Sequence, residues 1–115
     1  MHELAVTENI IDIACRHAQE AGGGHITRIH LVIGELSSIV DDSVQFYFDF
    51  IAQDTLAAGA ELTFQRIPIT IVCGECEHKW QPTTADWTCP QCGADKARVV
   101  AGREFYIDSI EVEDT

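Results

Sequence analysis

The sequence is poor in positive charge and lacks any long apolar run. Seven lysine and arginine residues stand against nineteen acidic residues, which gives a formal net charge of −12. Such a chain repels phosphate backbones, and its acidic balance favours cations or a partner with a basic surface. The sequence has no stretch long enough to span a membrane, and it does not begin with a basic and then apolar secretory signal. We therefore expect a cytoplasmic protein that binds neither nucleic acid nor membrane.

The number and spacing of the cysteines are also informative. The chain has 115 residues, of which 46% are hydrophobic, so it suits one folded domain or one small domain that carries a smaller module. Four of its five cysteines form two C-x-x-C pairs. Because cytoplasmic thiols stay reduced, such pairs indicate metal or redox chemistry. The fifth, Cys15, lies on the apolar face of a predicted helix and is expected to be a small buried hydrophobe.

Apolar spacing predicts two helices. The first runs from Leu4 to Ala21 and ends at three glycines, and its apolar stripe consists of Leu4, Ile11, Ala14, Cys15 and Ala18. The second follows a capping box formed by Asp42 and Gln45. Its stripe consists of Val44, Tyr47, Phe48, Ile51 and Thr55. The aromatic cluster FYFDF (46–50) is expected in the core.

In three segments, apolar and polar residues alternate as they do in half-buried β-strands. ITRIHLVIG (26–34) predicts a half-buried strand, with His30 as a solvated residue on its polar face. ELTFQRIPITIV (61–72) predicts a strand that Pro68 kinks or confines to an edge. REFYIDSIEVE (103–113) predicts a final strand. Its apolar residues change once from one face of the strand to the other, as they do at a β-bulge.

This element order predicts the fold class and the domains. Two helices on one face of a three-stranded sheet would bury each apolar stripe, so we expect an α+β fold with an inserted zinc-ribbon-like module. Residues 1–72 and 101–115 would form the α/β domain. Residues 73–100 would form a zinc-binding domain inserted before the last strand.

The inserted segment contains a metal-binding pattern, CGECEHKWQPTTADWTCPQC (73–92), or C-x2-C-x12-C-x2-C. A two-residue gap lets both sulfurs of a knuckle reach one metal ion, and two knuckles complete a tetrahedral site. The pattern predicts structural zinc bound by Cys73, Cys76, Cys89 and Cys92. Gly74 and Gly93 are expected to provide backbone freedom at the two turns.

Other interpretations of this module remain open. A CPQCG knuckle also suits a rubredoxin-like iron site, whereas a dithiol redox site would need a thioredoxin-like context that this segment lacks. His78 is expected to be a solvated loop residue, and Trp80 and Trp87 to form a miniature core. Four protein ligands leave no open position for substrate, and the chain has no nucleophile motif or phosphate loop. We therefore expect a protein that holds or delivers something and is not an enzyme.

The chain begins MHEL, which places several donors together. Initiator methionine is normally removed only before a small residue, so Met1 and its free amine should persist before His2. The amine and the His2 backbone and imidazole nitrogens can chelate one ion, with an oxygen or backbone nitrogen of Glu3 as a further donor. Nitrogen-rich sites suit copper(II) or nickel(II), and both the amine and the imidazole can lose a proton near neutral pH.

Four motifs together resemble one family. MHEL, IGELSS (33–38), the paired knuckles and SIEVE (109–113) are similar to the HypA/HybF proteins, nickel metallochaperones for maturing nickel–iron hydrogenases. The resemblance covers essentially the whole chain. It implies nickel held by the Met1 amine, His2 and Glu3, and zinc held by Cys73, Cys76, Cys89 and Cys92. It also implies two partners, the GTPase HypB and the hydrogenase large-subunit precursor.

One position departs from the family pattern. Some members have a further carboxylate near the nickel site, about where this chain has Val40, and Asp41 and Asp42 follow directly.

Two competing hypotheses for the function are a zinc-ribbon interaction adaptor without a second metal and a rubredoxin-like electron carrier.

Overall fold

The computed structural model describes residues 3–113. It contains helices α1 (Glu3–Glu20) and α2 (Asp41–Ile51), a short 3₁₀ turn (Glu35–Ser37) and strands β1 (His25–Gly34), β2 (Glu61–Ile67), β3 (Thr70–Cys73), β4 (Lys79–Trp80), β5 (Ala97–Ala101) and β6 (Phe105–Glu113). The strands form two three-stranded sheets, in the orders β2-β1-β6 and β4-β3-β5. The predicted α+β class with a zinc-ribbon-like module is confirmed. Neither helix is long and apolar enough to cross a bilayer.

The chain divides into two compact units. Among the described residues, the first unit contains 3–32, 38–65 and 106–113, and the second contains 33–37 and 66–105. Pro68 lies between β2 and β3, which belong to different sheets, so the single strand expected over 61–72 is in fact two. Proline interrupts a strand because it cannot donate a ladder hydrogen bond. Division into a nickel-binding and a zinc-binding domain at residues 73 and 100 stays a prediction.

The core of the first unit is formed by buried faces of both helices and by β1. Its buried side chains include Ile10, Ile11, Ala14, Ala18, Ile26, Ile29, Leu31, Val44 and Phe48. The α1 stripe differs from the expected one at its start, because Leu4 is 43% exposed while Thr7 is fully buried. The Thr7 hydroxyl donates to the Glu3 carbonyl at 2.6 Å, which satisfies the buried polar group.

The aromatic cluster of α2 is split between two faces. Phe48 is buried, with 1% exposure, whereas Phe46 and Phe50 are 70% and 72% exposed. Each helical residue turns about 100°, so positions 44 and 48 face the core while positions 46 and 50 face away from it. The prediction of a core cluster was therefore right for Phe48 and wrong for Phe46 and Phe50.

The start of α2 also differs from the prediction. The residue before the helix is Val40, and it makes no side-chain capping hydrogen bond. Gln45 donates its side-chain amide to Asp49 at 2.8 Å, so the expected capping box is absent. The carboxylates of Asp41 and Asp42 occupy the first turn, where they favour the positive end of the helix dipole.

The polar face of the first sheet carries a hydrogen-bonded cluster. The His30 Nε2 donates to the Glu111 carboxylate at 2.7 Å, and its Nδ1 bonds the Thr63 hydroxyl at 2.6 Å. The Arg28 guanidinium lies 3.3 Å from Glu111 and 3.6 Å from Glu61. Within residues 3–113, His30 belongs to no group of possible metal ligands, as expected, and its side chain is 32% exposed; the sequence did not indicate that its ring links all three strands of the sheet.

The split of the aromatic cluster predicts opposite outcomes for two similar substitutions. Phe48→Ala should lower the free energy of unfolding by about 3–5 kcal/mol, because it leaves a cavity in the core. Phe46→Ala should change it by less than about 0.5 kcal/mol, because that ring is exposed. Urea unfolding followed by the helical circular dichroism signal measures both. Equal destabilisation by the two substitutions would contradict the assigned faces.

The sheet cluster predicts a pH-dependent contribution to stability. The hydrogen bond from His30 lowers the pKa of Glu111 below its ordinary value of 4.5, against a smaller effect of burial, and the charge of Arg28 adds to the lowering. A lowered folded-state pKa means stabilisation that is present above the unfolded-state value and is lost as the pH falls. Glu111→Gln should therefore lower the urea midpoint at neutral pH, and its difference from wild type should shrink below about pH 4.5. A difference independent of pH would refute this assignment.

Candidate metal centre

The second sheet supports the first cysteine knuckle at the end of its central strand. β3 pairs antiparallel with β4 and with β5, and its last residue, Cys73, lies opposite Ala97. Just beyond, the Gly74 N–H donates to the Lys96 carbonyl at 2.8 Å. The Lys96 ammonium also lies 2.7 Å from a Glu75 carboxylate oxygen. The backbone of the knuckle is therefore held against the segment that leads into β5.

Backbone amides in the first knuckle point at its first cysteine. The Glu75 N–H donates to the Cys73 sulfur at 3.4 Å, and the Glu77 N–H donates to the Cys73 carbonyl at 3.0 Å. Glu77, the residue after Cys76, has a φ of 64°, in the left-handed region. That conformation is costly for a residue with a side chain.

The second knuckle repeats this geometry. The Gln91 N–H donates to the Cys89 sulfur at 3.4 Å, and the Gly93 N–H donates to the Cys89 carbonyl at 2.9 Å. Gly93 has a φ of 78°, so it adopts the left-handed conformation that glycine was expected to allow. Gly74 has no positive φ. The position equivalent to Gly93 in the first knuckle is occupied by Glu77.

The four thiols of the two knuckles form one cluster. The Cys73 and Cys92 sulfurs are 3.6 Å apart, the Cys76 and Cys89 sulfurs are also 3.6 Å apart, and all four lie within 4.8 Å of one another. With metal–sulfur bonds of about 2.3 Å, sulfurs at the corners of a regular tetrahedron lie about 3.8 Å apart. The separations thus fit one tetrahedral thiolate-bound ion and are too long for disulfides. Within residues 3–113, this is the group of possible metal ligands that the structure brings together.

The thiols differ in how readily they ionise. For Cys89, burial raises the pKa, but the N–H groups of Cys92 and Gln91 and the sulfur of Cys76 lower it to about 7. For Cys92, the Ala94 N–H lowers the pKa, but hydrogen bonding among the sulfurs and burial raise it to about 12. Four thiols so close cannot all ionise unaided, because each new charge faces the previous ones. A divalent cation removes this repulsion by replacing the protons.

The aromatic residues of the module were only partly predicted. The His78 ring stacks on Trp80, with centroids 5.6 Å apart and planes at 12°, so it is half-buried instead of solvated. Trp80 and Trp87 are each half-buried. His78 is not part of the ligand cluster.

The predicted nickel ligands are only partly within the described residues. Met1 and His2 lie outside them. Glu3 is the first residue of α1, and its carboxylate accepts a long hydrogen bond, 3.4 Å, from the Val40 N–H. The start of α1 is therefore adjacent to the residue that precedes α2. No local pattern indicates this neighbourhood, because residues 3 and 40 are far apart in the sequence, but it agrees with the family resemblance, which puts position 40 near the nickel site.

Comparison with known proteins gives a consistent result. A family model described as hydrogenase/urease nickel incorporation, metallochaperone, HypA matches residues 1–112. Proteins named hydrogenase maturation factor HypA are similar: that of Dehalococcoides mccartyi is 46% identical, with 99% of this chain and 96% of the relative covered. That of Geobacter sulfurreducens is 40% identical, with 98% and 100% covered.

Solved structures show the same fold. The solution structure of the nickel metallochaperone HypA from Helicobacter pylori has a TM-score of 0.67 at 24% identity, with 97% of each chain covered. A second HypA solution structure has a TM-score of 0.75 at 24% identity, with 98% of this chain and 97% of the other covered.

The fold, the cysteine cluster and these matches define a metal-binding maturation factor of the metallochaperone class. Within that class, the chain belongs to the HypA family of nickel-incorporation proteins. The resemblance inferred from four sequence motifs is thereby confirmed.

The cluster geometry predicts that metal binding needs all four thiols. Cys89→Ala should lose about one equivalent of metal per chain and unfold residues 73–100 locally, because binding supplies folding free energy to this small module. The helices should persist, since they bury their own apolar faces. Metal content by mass spectrometry, with helical circular dichroism, measures both effects.

Cys15→Ala is the matched control. Cys15 is a free cysteine on α1, outside the cluster, so its removal should leave the metal content unchanged. Full metal retention in Cys89→Ala would rule out coordination by four thiolates.

Proposed function

We propose that this chain is a nickel metallochaperone that binds nickel at its N-terminus and delivers it for maturation of nickel–iron hydrogenase. The observation that carries the proposal is the match of residues 1–112 to the nickel-incorporation family. The match includes the MHE start, whose donors suit nickel by their chemistry alone. The role is one of holding and transfer, with no catalytic step of its own.

The proposed nickel ligands are the Met1 amine, His2 and Glu3. The structure supports the contribution of Glu3 in two ways. Its backbone N–H belongs to the first helical turn, where amide groups have no intrahelical acceptor, so releasing that proton to solvent and binding nickel through the amidate nitrogen would break no helix hydrogen bond. Its carboxylate accepts a long hydrogen bond, 3.4 Å, from the Val40 N–H, and exchanging that weak contact for a metal would cost little. Val40 supplies no carboxylate of its own, whereas Asp41 and Asp42 follow it in the first turn of α2.

The proposed metal of the cysteine cluster is structural zinc. Cys73, Cys76, Cys89 and Cys92 would fill all four positions of a tetrahedral ion and leave none for substrate. Zinc would act by holding the two knuckles together. A colourless, metal-loaded protein supports zinc, whereas a red protein with visible iron–thiolate absorption would support the rubredoxin-like alternative.

The proposed partners are the GTPase HypB and the hydrogenase large-subunit precursor. Family membership supports a role in hydrogenase maturation. Nickel delivery requires at least one acceptor that approaches the start of α1.

Nickel binding should depend on an intact N-terminus. His2→Ala removes the imidazole, and an N-terminal extension converts the Met1 amine into an amide without a basic lone pair. Each change should abolish tight nickel binding, and binding by the native chain should weaken below about pH 6.5 as protons compete for the donors. Calorimetric nickel titration of untagged protein measures these effects.

The controls separate this site from the cysteine cluster. Both variants should keep their zinc content and their helical signal, and a C-terminal extension without histidines should bind nickel normally. If His2→Ala bound nickel as tightly as the native chain, the N-terminal site would be wrong and the interaction-adaptor hypothesis would be preferred.

A further inference from the structure

The outer face of α2 exposes two phenylalanines. Phe46 and Phe50 are 70% and 72% exposed, and they lie on the side of α2 opposite the buried Val44 and Phe48. The Phe46 ring meets Tyr47 edge-on, with centroids 5.5 Å apart. Single exposed apolar side chains are common, but two large exposed aromatic residues one helical turn apart on the same face make a patch that water solvates poorly. We call Phe46 and Phe50 the α2 aromatic face.

The shape of this face fits a helix. The two residues are four positions apart, so their rings form a short ridge about 6 Å long that follows the axis of α2. Ridges of this kind pack into the grooves between the side-chain rows of a second helix. Aromatic rings also supply much of the binding free energy in protein interfaces.

The charge around the face selects the kind of helix. Asp42 and Asp49 are exposed and lie four and three positions from Phe46, which makes them its neighbours on the helix surface. Residues 41–51 contain no lysine or arginine. The segments of the first unit, 1–32, 38–65 and 106–115, hold thirteen of the nineteen acidic residues but two of the seven basic ones, a formal charge of −11.

Such a charge argues against two other occupants. A second copy of this chain docking through the same face would bring two units of charge −11 together. An anionic membrane surface would be repelled in the same way. A basic partner gains both apolar contact with the rings and attraction to the carboxylates.

We propose that the α2 aromatic face, with Asp42 and Asp49 at its edge, is a docking surface for a positively charged amphipathic helix of a partner protein. The proposal concerns the face of α2 and does not depend on where nickel is bound. It assigns a function to the two aromatic residues that the core does not use.

A synthetic helix tests the proposal directly. The probe is a fluorescently labelled leucine–lysine peptide of about five turns, with leucines along one face. Two control peptides have the same leucine pattern with glutamate in place of lysine, and the same composition in scrambled order. Fluorescence anisotropy against the full-length, zinc-loaded chain should show binding of the leucine–lysine helix alone, weakening as salt is added.

Variants of the chain locate the binding surface. Phe46→Ala/Phe50→Ala should weaken peptide binding about tenfold or more, because it removes the aromatic anchors. Asp42→Asn/Asp49→Asn should weaken it less and reduce its salt dependence. Tyr106→Ala is the matched control, because Tyr106 is an aromatic residue that is 50% exposed on β6, and it should bind like wild type. The helical signal verifies that each variant is folded.

Several outcomes would overturn the proposal. One is no binding of the leucine–lysine helix, and another is equal binding by wild type and Phe46→Ala/Phe50→Ala. Sedimentation that showed dimers of wild type and monomers of the double alanine variant would identify a second copy as the occupant. Binding to phosphatidylcholine vesicles that required the two rings would identify a lipid surface.

Discussion

Hydrogen bonding of β1 to β6 is the constraint on which the arrangement of the chain depends. β1 is the central strand of the first sheet, between β2 and β6, and β6 is the last element of the chain. Closing this pair requires residues 68–104 to leave the sheet and return to the end of β1. There the Gly34 N–H donates to the Glu104 carbonyl and the Leu36 N–H to the Gly102 carbonyl, both at 2.7 Å. A Cβ on Gly34 would overlap the Gly102 carbonyl, so glycine is needed at this approach.

The helices and strands that the sequence predicted correctly are those that follow from local patterns of apolar residues. Helical spacing located α1 and α2, and alternation located β1 and β6, because these periods are properties of neighbouring residues. Helical spacing also agrees with the burial of Thr7 and the exposure of Phe46 and Phe50, and the expectations for these three residues failed because they followed residue type instead. Residue type alone does not show whether a hydroxyl will find a carbonyl partner, or whether an aromatic ring will face the core or an interaction partner.

At the candidate metal centre, too, some features follow from local sequence patterns and others do not. The cysteine cluster was predictable because the two-residue gaps are short and each knuckle folds around its own sulfurs. The left-handed conformation of Glu77 was missed, since the sequence offered Gly74 as the apparent flexible position. The three-strand hydrogen bonding of His30 and the contact of Glu3 with Val40 join residues far apart in sequence, so no local pattern indicates them.

The position of Glu3 limits where the proposed Met1 amine would hold an ion. The carbonyl of Glu3 is tied to Thr7 and its carboxylate approaches Val40, so its backbone is anchored at the start of α1. In the proposed site, two residues separate the Met1 amine from Glu3, and an extended segment of that length would place the amine nitrogen no more than about 9 Å from the Glu3 Cα. Any ion that this nitrogen holds therefore stays within a small sphere around the beginnings of α1 and α2. An acceptor must bring its own ligands into that sphere to take the ion.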